Sequence, residues 1–401
     1  MKKCGLFLLL FIQLNAWSQQ GPLKGRVVAA DNKAPVVAAS VFVTNTSMGT
    51  STNTAGEFIL GRLPSEQFDL VISSIGFETE VRTLDPQHLP AFLSIELKPK
   101  AKDLGEVVVE PFEKDGWATW GRFFLEKFLG TSSLAYDCRI VNTEVIHFRN
   151  RKKQNRLEAV ADEALIIENK SLGYRIQFQL EKFDFDFGKR QLLYVGYPLF
   201  SEMEGSNSRK KRWAARREET YYGSQMHFMR ALFRNKLKEE GFVVRKLVKI
   251  PNSEKLRVKA VMQARMRAGI GLQKLPKDTT EYYSRVLRMP DSVDQLRDPP
   301  LPGDSIAYAL NKTTAALAFD DYLDIIYTKK KESMAYLDWI GEHRRAAYIT
   351  SDIFLLNKRE LAVVANGNFY SPADLLNLGY WAWWEKIATM LPFDYSPSGH
   401  F

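Results

Sequence analysis

The strongest constraint on the fold lies in residues 21–98. Apolar and polar residues alternate there in short runs, and turn residues interrupt each run. Alternation at period two turns one face of each run inward and the other to solvent, the pattern of half-buried strands. The runs cover 23–30, 36–44, 48–53, 57–60, 67–74, 77–83 and 92–97. Asp31-Asn32-Lys33 and Thr54-Ala55-Gly56 supply turns, and no helical period intervenes. About seven strands at this spacing predict an N-terminal all-β Greek-key sandwich of two sheets. Gly56 and Gly76 fall where a tight turn wants positive φ, a conformation strained for any residue with a Cβ.

These residues also carry a family resemblance. Gly25-Arg26-Val27-Val28, Pro35 and Ala39-Ser40-Val41-Phe42-Val43 resemble the first hairpin of the carboxypeptidase regulatory-like domain. Residues 49–58, GTSTNTAGEF, resemble its most recognisable stretch, and Ser74-Ile75-Gly76-Phe77 its later glycine turn. The resemblance implies a transthyretin-like sandwich over 19–98. Asn53 and Glu57 depart from the turn residues that many members carry, which leaves the fold untouched. In metallocarboxypeptidases this module sits beside the catalytic domain and is not itself catalytic. A zinc peptidase needs H-x-x-E with a distant His, or H-E-x-x-H. Three residues after His88, His147, His227 and His343 stand Ala91, Asn150, Arg230 and Ala346, and His400 is followed by Phe401 alone. No catalytic, cofactor-binding or metal-ligating residue is therefore assigned, and no cofactor is expected.

The N-terminus predicts a destination. Lys2 and Lys3 precede the apolar run 6–12, and Ala16-Trp17-Ser18 places small residues where a signal peptidase reads. This is the pattern of a secretory signal peptide over 1–18. Cys4 precedes the apolar run, the wrong place for a lipidated cysteine. Once the signal is removed Cys138 stands alone, so no intramolecular disulfide is expected, and its apolar surroundings suit a buried thiol. No later apolar run reaches the roughly 20 residues of a membrane helix. The expected location is the periplasm or an association with the outer membrane.

A length of 401 residues asks for two or three domains, and 45% hydrophobic with 26% charged residues excludes wholesale disorder. Residues 99–111 read as a linker. Within it, 104–109 resembles the segment that follows the same sandwich in TonB-dependent outer-membrane receptors of Bacteroidota. The roughly 290 residues that follow are too few for such a receptor's plug and barrel. Residues 112–401 predict an α+β domain with a largely antiparallel sheet. Trp117, Trp120, Phe123, Phe124 and Phe128 fall at helical spacing before Gly130. A meander is expected over 139–197, with strands at 139–148, 156–161, 165–168, 174–187 and 191–197. A helix is expected over 224–240, stopped by Gly241. Residues 242–250 and 255–264 read as a hairpin around Pro251-Asn252, and Asp278-Thr279-Thr280-Glu281 as a capping box. Further strands are expected at 323–329, 346–356 and 360–365. Ser371-Pro372 reads as the start of a last helix. Phe128-Leu129-Gly130-Thr131-Ser132, residues 169–174, Gly379-Tyr380-Trp381 and residues 391–395 resemble an uncharacterised region that accompanies this sandwich in other exported Bacteroidota proteins.

Candidate contacts follow from charge and aromaticity. Residues 19–100 hold 7 Lys and Arg against 8 Asp and Glu, so the chain's net charge of +9 resides mainly beyond residue 100. Arg209, Lys210, Lys211, Arg212, Arg216 and Arg217, with Trp213 among them, form a segment suited to anionic lipid or lipopolysaccharide. The plain alternative is a solvated helical face. Asp184 and Asp186 share one strand face, as a cation-binding or acid–base pair would, although simple in/out alternation also explains them. Trp381, Trp383 and Trp384 are candidate glycan contacts or core. The leading expectation is an exported, non-enzymatic cell-envelope protein that binds a protein or glycan. One alternative is a glycan-acting hydrolase using carboxylates of the C-terminal domain. The other is a lipopolysaccharide or membrane-surface binder. A nucleic-acid partner is not expected.

Overall fold

The structure, a computed structural model, describes residues 21–100, 111–270, 275–357 and 360–397. The expected signal peptide and the 104–109 segment lie outside the described residues. The chain divides into two compact units, Met1–Val41 with Gly49–Pro99, and Phe42–Met48 with Lys100–Phe401. Residues 42–48, expected within the sandwich, thus group with the second unit.

The first unit draws on seven strands: β1 (Leu23–Ala29), β2 (Ser40–Val43), β3 (Gly49–Ser51), β4 (Glu57–Leu60), β5 (Phe68–Ser73), β6 (Glu80–Leu84) and β7 (Leu93–Leu97). They form two sheets, β4-β1-β7 and β3-β2-β5-β6, with β1 antiparallel to β4 and parallel to β7. The alternation read from the sequence is what buries this unit. Leu23, Val27 and Ala29 point inward on β1, while Lys24 and Arg26 stay exposed. Gly56 takes φ +75°, and a Cβ there would lie 2.5 Å from the Val27 carbonyl oxygen, so the turn needs glycine on two counts.

The second unit is α+β with antiparallel sheets. It begins with α1 (Gly116–Phe128), β8 (Cys138–Ile140), β9 (Ile146–Arg151), β10 (Arg156–Ala161), β11 (Leu165–Asn169), β12 (Tyr174–Asp186) and β13 (Gln191–Glu202). The expected strand 139–148 is interrupted by a 3-10 turn at Thr143–Val145. The meander is also corrected. β12 is a spine that pairs with β11 over its first half, with β10 over its second, and with β13 along its length. A 13-residue strand offers both edges to shorter neighbours, which local spacing does not reveal. Phe124 and Phe128 of α1 seal the sheet by packing against Phe148, Phe178 and Phe183, with the Phe124 and Phe183 ring centres 4.8 Å apart.

There follow α2 (Asn207–Tyr221), α3 (Gln225–Phe233), α4 (Leu237–Glu240), β14 (Phe242–Pro251), α5 (Ser253–Arg267), α6 (Lys277–Arg288) and β15 (Ser292–Arg297). The chain then runs through β16 (Ala307–Ala309), β17 (Thr314–Leu317), β18 (Tyr322–Lys331), α7 (Met334–Ile340), β19 (Tyr348–Leu355), β20 (Leu361–Val364), β21 (Leu375–Gly379) and α8 (Tyr380–Trp384). A five-stranded sheet, β15-β14-β18-β19-β21, and a small one, β16-β17-β20, share a core with Phe228 and Met229 of α3 and Tyr380 and Trp381 of α8.

Several expectations are corrected here. Residues 255–264 are helix, because the Asn252 side chain accepts from Lys255 N and caps α5, and the strand expected there gives way. The single helix over 224–240 is split by Asn235 at φ +51°, although Gly241 closes α4 in the left-handed conformation as expected. α6 begins at Lys277, so Asp278 lies inside its first turn and caps nothing. The helix expected from Ser371 is one 3-10 turn, Pro372–Asp374, followed by β21; Ser371 sits at φ +61° and makes no cap bond.

Candidate functional site

The second unit encloses a cavity of about 870 Å³. Its walls are mostly apolar: Phe178 of β12, Leu192 and Tyr194 of β13, Met226 of α3, Trp381 and Trp383 of α8, and Met390 beyond. Nine charged residues also reach that lining, Glu126, Lys127, Arg156, Asp184, Asp186, Lys189, Arg190, Glu385 and Lys386, and the last two adjoin in sequence and are half-buried. Their position follows from local structure. α8 ends at Trp384, and the Glu385 and Lys386 amides bond back to the Trp381 and Trp384 carbonyls at 2.9 and 2.7 Å. A 3-10 turn at Ile387–Thr389 then holds the following chain.

Glu385 Oε1 accepts a 2.8 Å hydrogen bond from the backbone N–H of Gln225, the first residue of α3. A helix N-terminus favours a carboxylate, yet burial outweighs it and pushes Glu385 up to about 7. Gln225 in turn donates from Nε2 to Asn377 Oδ1 at 2.8 Å. The Lys386 stem passes over Gly130, where a Cβ would come within 2.9 Å of Lys386 Cβ; glycine both stops α1 and clears that path. Burial, then the Lys127 ammonium, lowers Lys386 to about 8. A carboxylic acid and an amine that both titrate near neutrality are set for proton exchange or for meeting an opposite charge. Neither residue was assigned from the sequence. The charged pair directly after Trp383-Trp384 is the one local signal; the residues it meets, Gln225 and Gly130, lie far away in the chain.

The expected site residues separate into committed and open groups. Arg209, Lys210, Lys211 and Arg212 are exposed on the first turns of α2, with no ion-pair partner among the described residues. Trp213, expected beside them on a charged surface, is instead buried, and its indole donates to the Lys170 carbonyl at 2.9 Å. Arg217 is spent on the Leu172 carbonyl and Glu202 and stacks 3.8 Å over Tyr174; Arg216 reaches Ser171 and lies 3.8 Å from Asp137. Trp381, Trp383 and Trp384 are buried. The Trp381 and Trp383 indoles donate to Gly223 O and Thr131 Oγ1, and Lys330 lies 5.1 Å over Trp384. Asp184 is 3% exposed and held by both arms of Arg156, with Lys182 at 3.6 Å; Asp186 accepts from Lys189 N at 2.9 Å. Cys138 is buried, and burial pushes its thiol up to about 12. His227 is buried, with Nδ1 accepting from Gly223 N and Nε2 3.2 Å from Glu240. Among the described residues no three metal-ligating side chains come together.

Residues 23–109 match the CarboxypepD_reg-like domain family. The chain carries that domain. Its strands are those of the first unit, and the match continues through 104–109. No curated protein matches the chain. Among solved structures the chain is similar to a Bacteroides fragilis protein of unknown function whose description as membrane-associated is itself provisional. That likeness spans 86% of this chain and 93% of the other at 9% identity and a TM-score of 0.16, and at that score it carries no argument. Among the described residues no helix is long and apolar enough to cross a membrane.

Proposed function

We propose that this CarboxypepD_reg-like domain protein is exported to the cell envelope, on the periplasmic or outer-membrane side, and that its second unit binds a partner without transforming it. The cavity carries this reading. Its volume and predominantly apolar lining, with charged side chains among it, are those of ligand sites. The glycan-hydrolase alternative has less support, because Asp184, the other buried carboxylate lining the cavity, is already committed to Arg156. Crosslinking the C-terminally tagged protein in intact source cells, with native mass spectrometry of the purified protein, tests the reading. A reproducible envelope partner or a bound mass is expected. Recovery of the bare protein in both experiments would overturn it.

A second reading concerns α2. The exposed quartet Arg209, Lys210, Lys211 and Arg212 supports contact with lipopolysaccharide or an anionic membrane surface, each cation near such a surface contributing about 1 kcal/mol. Vesicle binding that falls with salt and disappears on neutralising the quartet would sustain it; salt-independent binding would not.

A further inference from the structure

The cavity's contents can be narrowed by what its walls leave unsatisfied. A sugar or other wholly polar ligand would strand its hydroxyls against Phe178, Leu192 and Met390. A cation would meet Lys386 and Lys127, two like charges close enough that each ammonium opposes the other. No carboxylate lies within 4 Å of the Lys386 amine among the described residues, and the neighbouring Glu385 gives one oxygen to Gln225 N. Lys127 is drawn over the rings of Phe123 and Phe185, at 5.4 and 5.5 Å, on the cavity's edge. The lining is therefore mostly apolar, and its five cations, Lys127, Arg156, Lys189, Arg190 and Lys386, outnumber its four carboxylates by one. We infer that the cavity seats an amphiphile with an apolar chain and an anionic head, a carboxylate or a phosphate, the head meeting Lys386 and Lys127. This rests on the binding reading above.

Titration gives the inference a direction. Lys127 and Glu385 act on Lys386 directly, and the other titratable or charged groups of the cavity lining are Glu126 of α1, Tyr194 of β13, the Arg156–Asp184 pair, Asp186, Lys189 and Arg190. As pH rises, Lys386 loses its proton and Glu385 becomes an anion. Both changes oppose an anionic head, so affinity falls as pH rises.

The test is competition binding on the full mature chain with three probes of one chain length: dodecanoate, dodecyl phosphate and dodecanol. We expect at least one anionic probe to bind about ten-fold or more tightly than the alcohol, as one charge-assisted hydrogen bond allows. Which anion binds better decides between a carboxylate and a phosphate head. Lys386→Met should erase the preference and leave the alcohol unchanged; Lys127→Met, at the cavity edge, should reduce it. Affinity for the anion should fall from about pH 6 to about pH 9. Equal binding of all three probes, or a preference that survives both substitutions, overturns the inference. If none of the probes binds but another mass copurifies from source cells, this inference fails and the binding reading stands. If no probe binds and no partner or mass is found, both fail.

Discussion

The two units treat charge differently. Among the described residues, the first buries no Asp, Glu, Lys, Arg or His. The second buries Asp184, His227, Arg230, Asp324 and Glu332, and directs Glu385 and Lys386 into a cavity. Burying an ionisable group costs several kcal/mol unless it is paired. A unit that merely needs to fold avoids that cost. The second unit offsets it at some positions, where Arg156 clasps Asp184 and Arg344 clasps Glu332. It leaves the cost standing at Glu385, Lys386 and Asp324, whose Oδ1 has no hydrogen-bond partner. The contrast is one of buried charge, which the second unit holds and the first, among the described residues, does not.

The sharpest way to break this comparison is at Asp184. Arg156→Met should destabilise the protein by about 3 kcal/mol in urea unfolding, because it removes both guanidinium hydrogen bonds from a buried carboxylate and leaves it only Lys182 at 3.6 Å. An unchanged midpoint would mean that the second unit's buried charges are not held as described. Gly56→Ala asks the matching question of the first unit, where turn geometry replaces charge. Forcing a Cβ into φ +75° against the Val27 carbonyl should cost about 2 kcal/mol. A neutral result would sink the claim that this turn requires glycine.

Asp324 gives a gain rather than a loss. It is 6% exposed, and burial first, then Asp352 across the strand pair, pushes it up to about 6. A raised carboxylate favours the fold only while protonated, so this contribution fades as pH climbs from about 4 through about 6. Asp324→Asn should therefore stabilise the protein at pH 7 by about 1–2 kcal/mol and flatten that stretch of the pH profile. Loss of stability would show the carboxylate to be doing something the strand pair does not explain. The smallest effect concerns His227, held well below the ordinary imidazole range by burial. The unfolded chain takes up its proton first as pH falls below about 6.5, so stability drops toward acid. His227→Gln should remove that slope, and a slope that persists assigns the acid sensitivity elsewhere.

How far the sequence could be read depended on where each residue's partners lie. The seven strands of the first unit, α1, and β10 at 156–161 were legible because alternation, helical spacing and turn residues act over a few positions. α5 was misread as a strand because its buried contact is Val258 alone, and one apolar position cannot show a period. In the basic segment, composition could not separate the open quartet from Trp213 and Arg217, whose partners sit at residues 170–174. Asp184, open in the sequence between an acid–base pair and plain strand alternation, lines the cavity but is clasped by Arg156, whereas Glu385 and Lys386 carry no motif and line it without an ion-pair partner among the described residues.

The amino-acid sequence by itself determined the N-terminal strands in their two small sheets, the turns between them and the lack of peptidase spacing. These rest on dihedral preference and short-range periodicity, which every stretch of chain carries with it. Tertiary structure alone decided which charges are buried, which are paired and which face the cavity. Those outcomes depend on desolvation and on distant partners: the N–H that Glu385 accepts belongs to Gln225, 160 residues earlier in the chain.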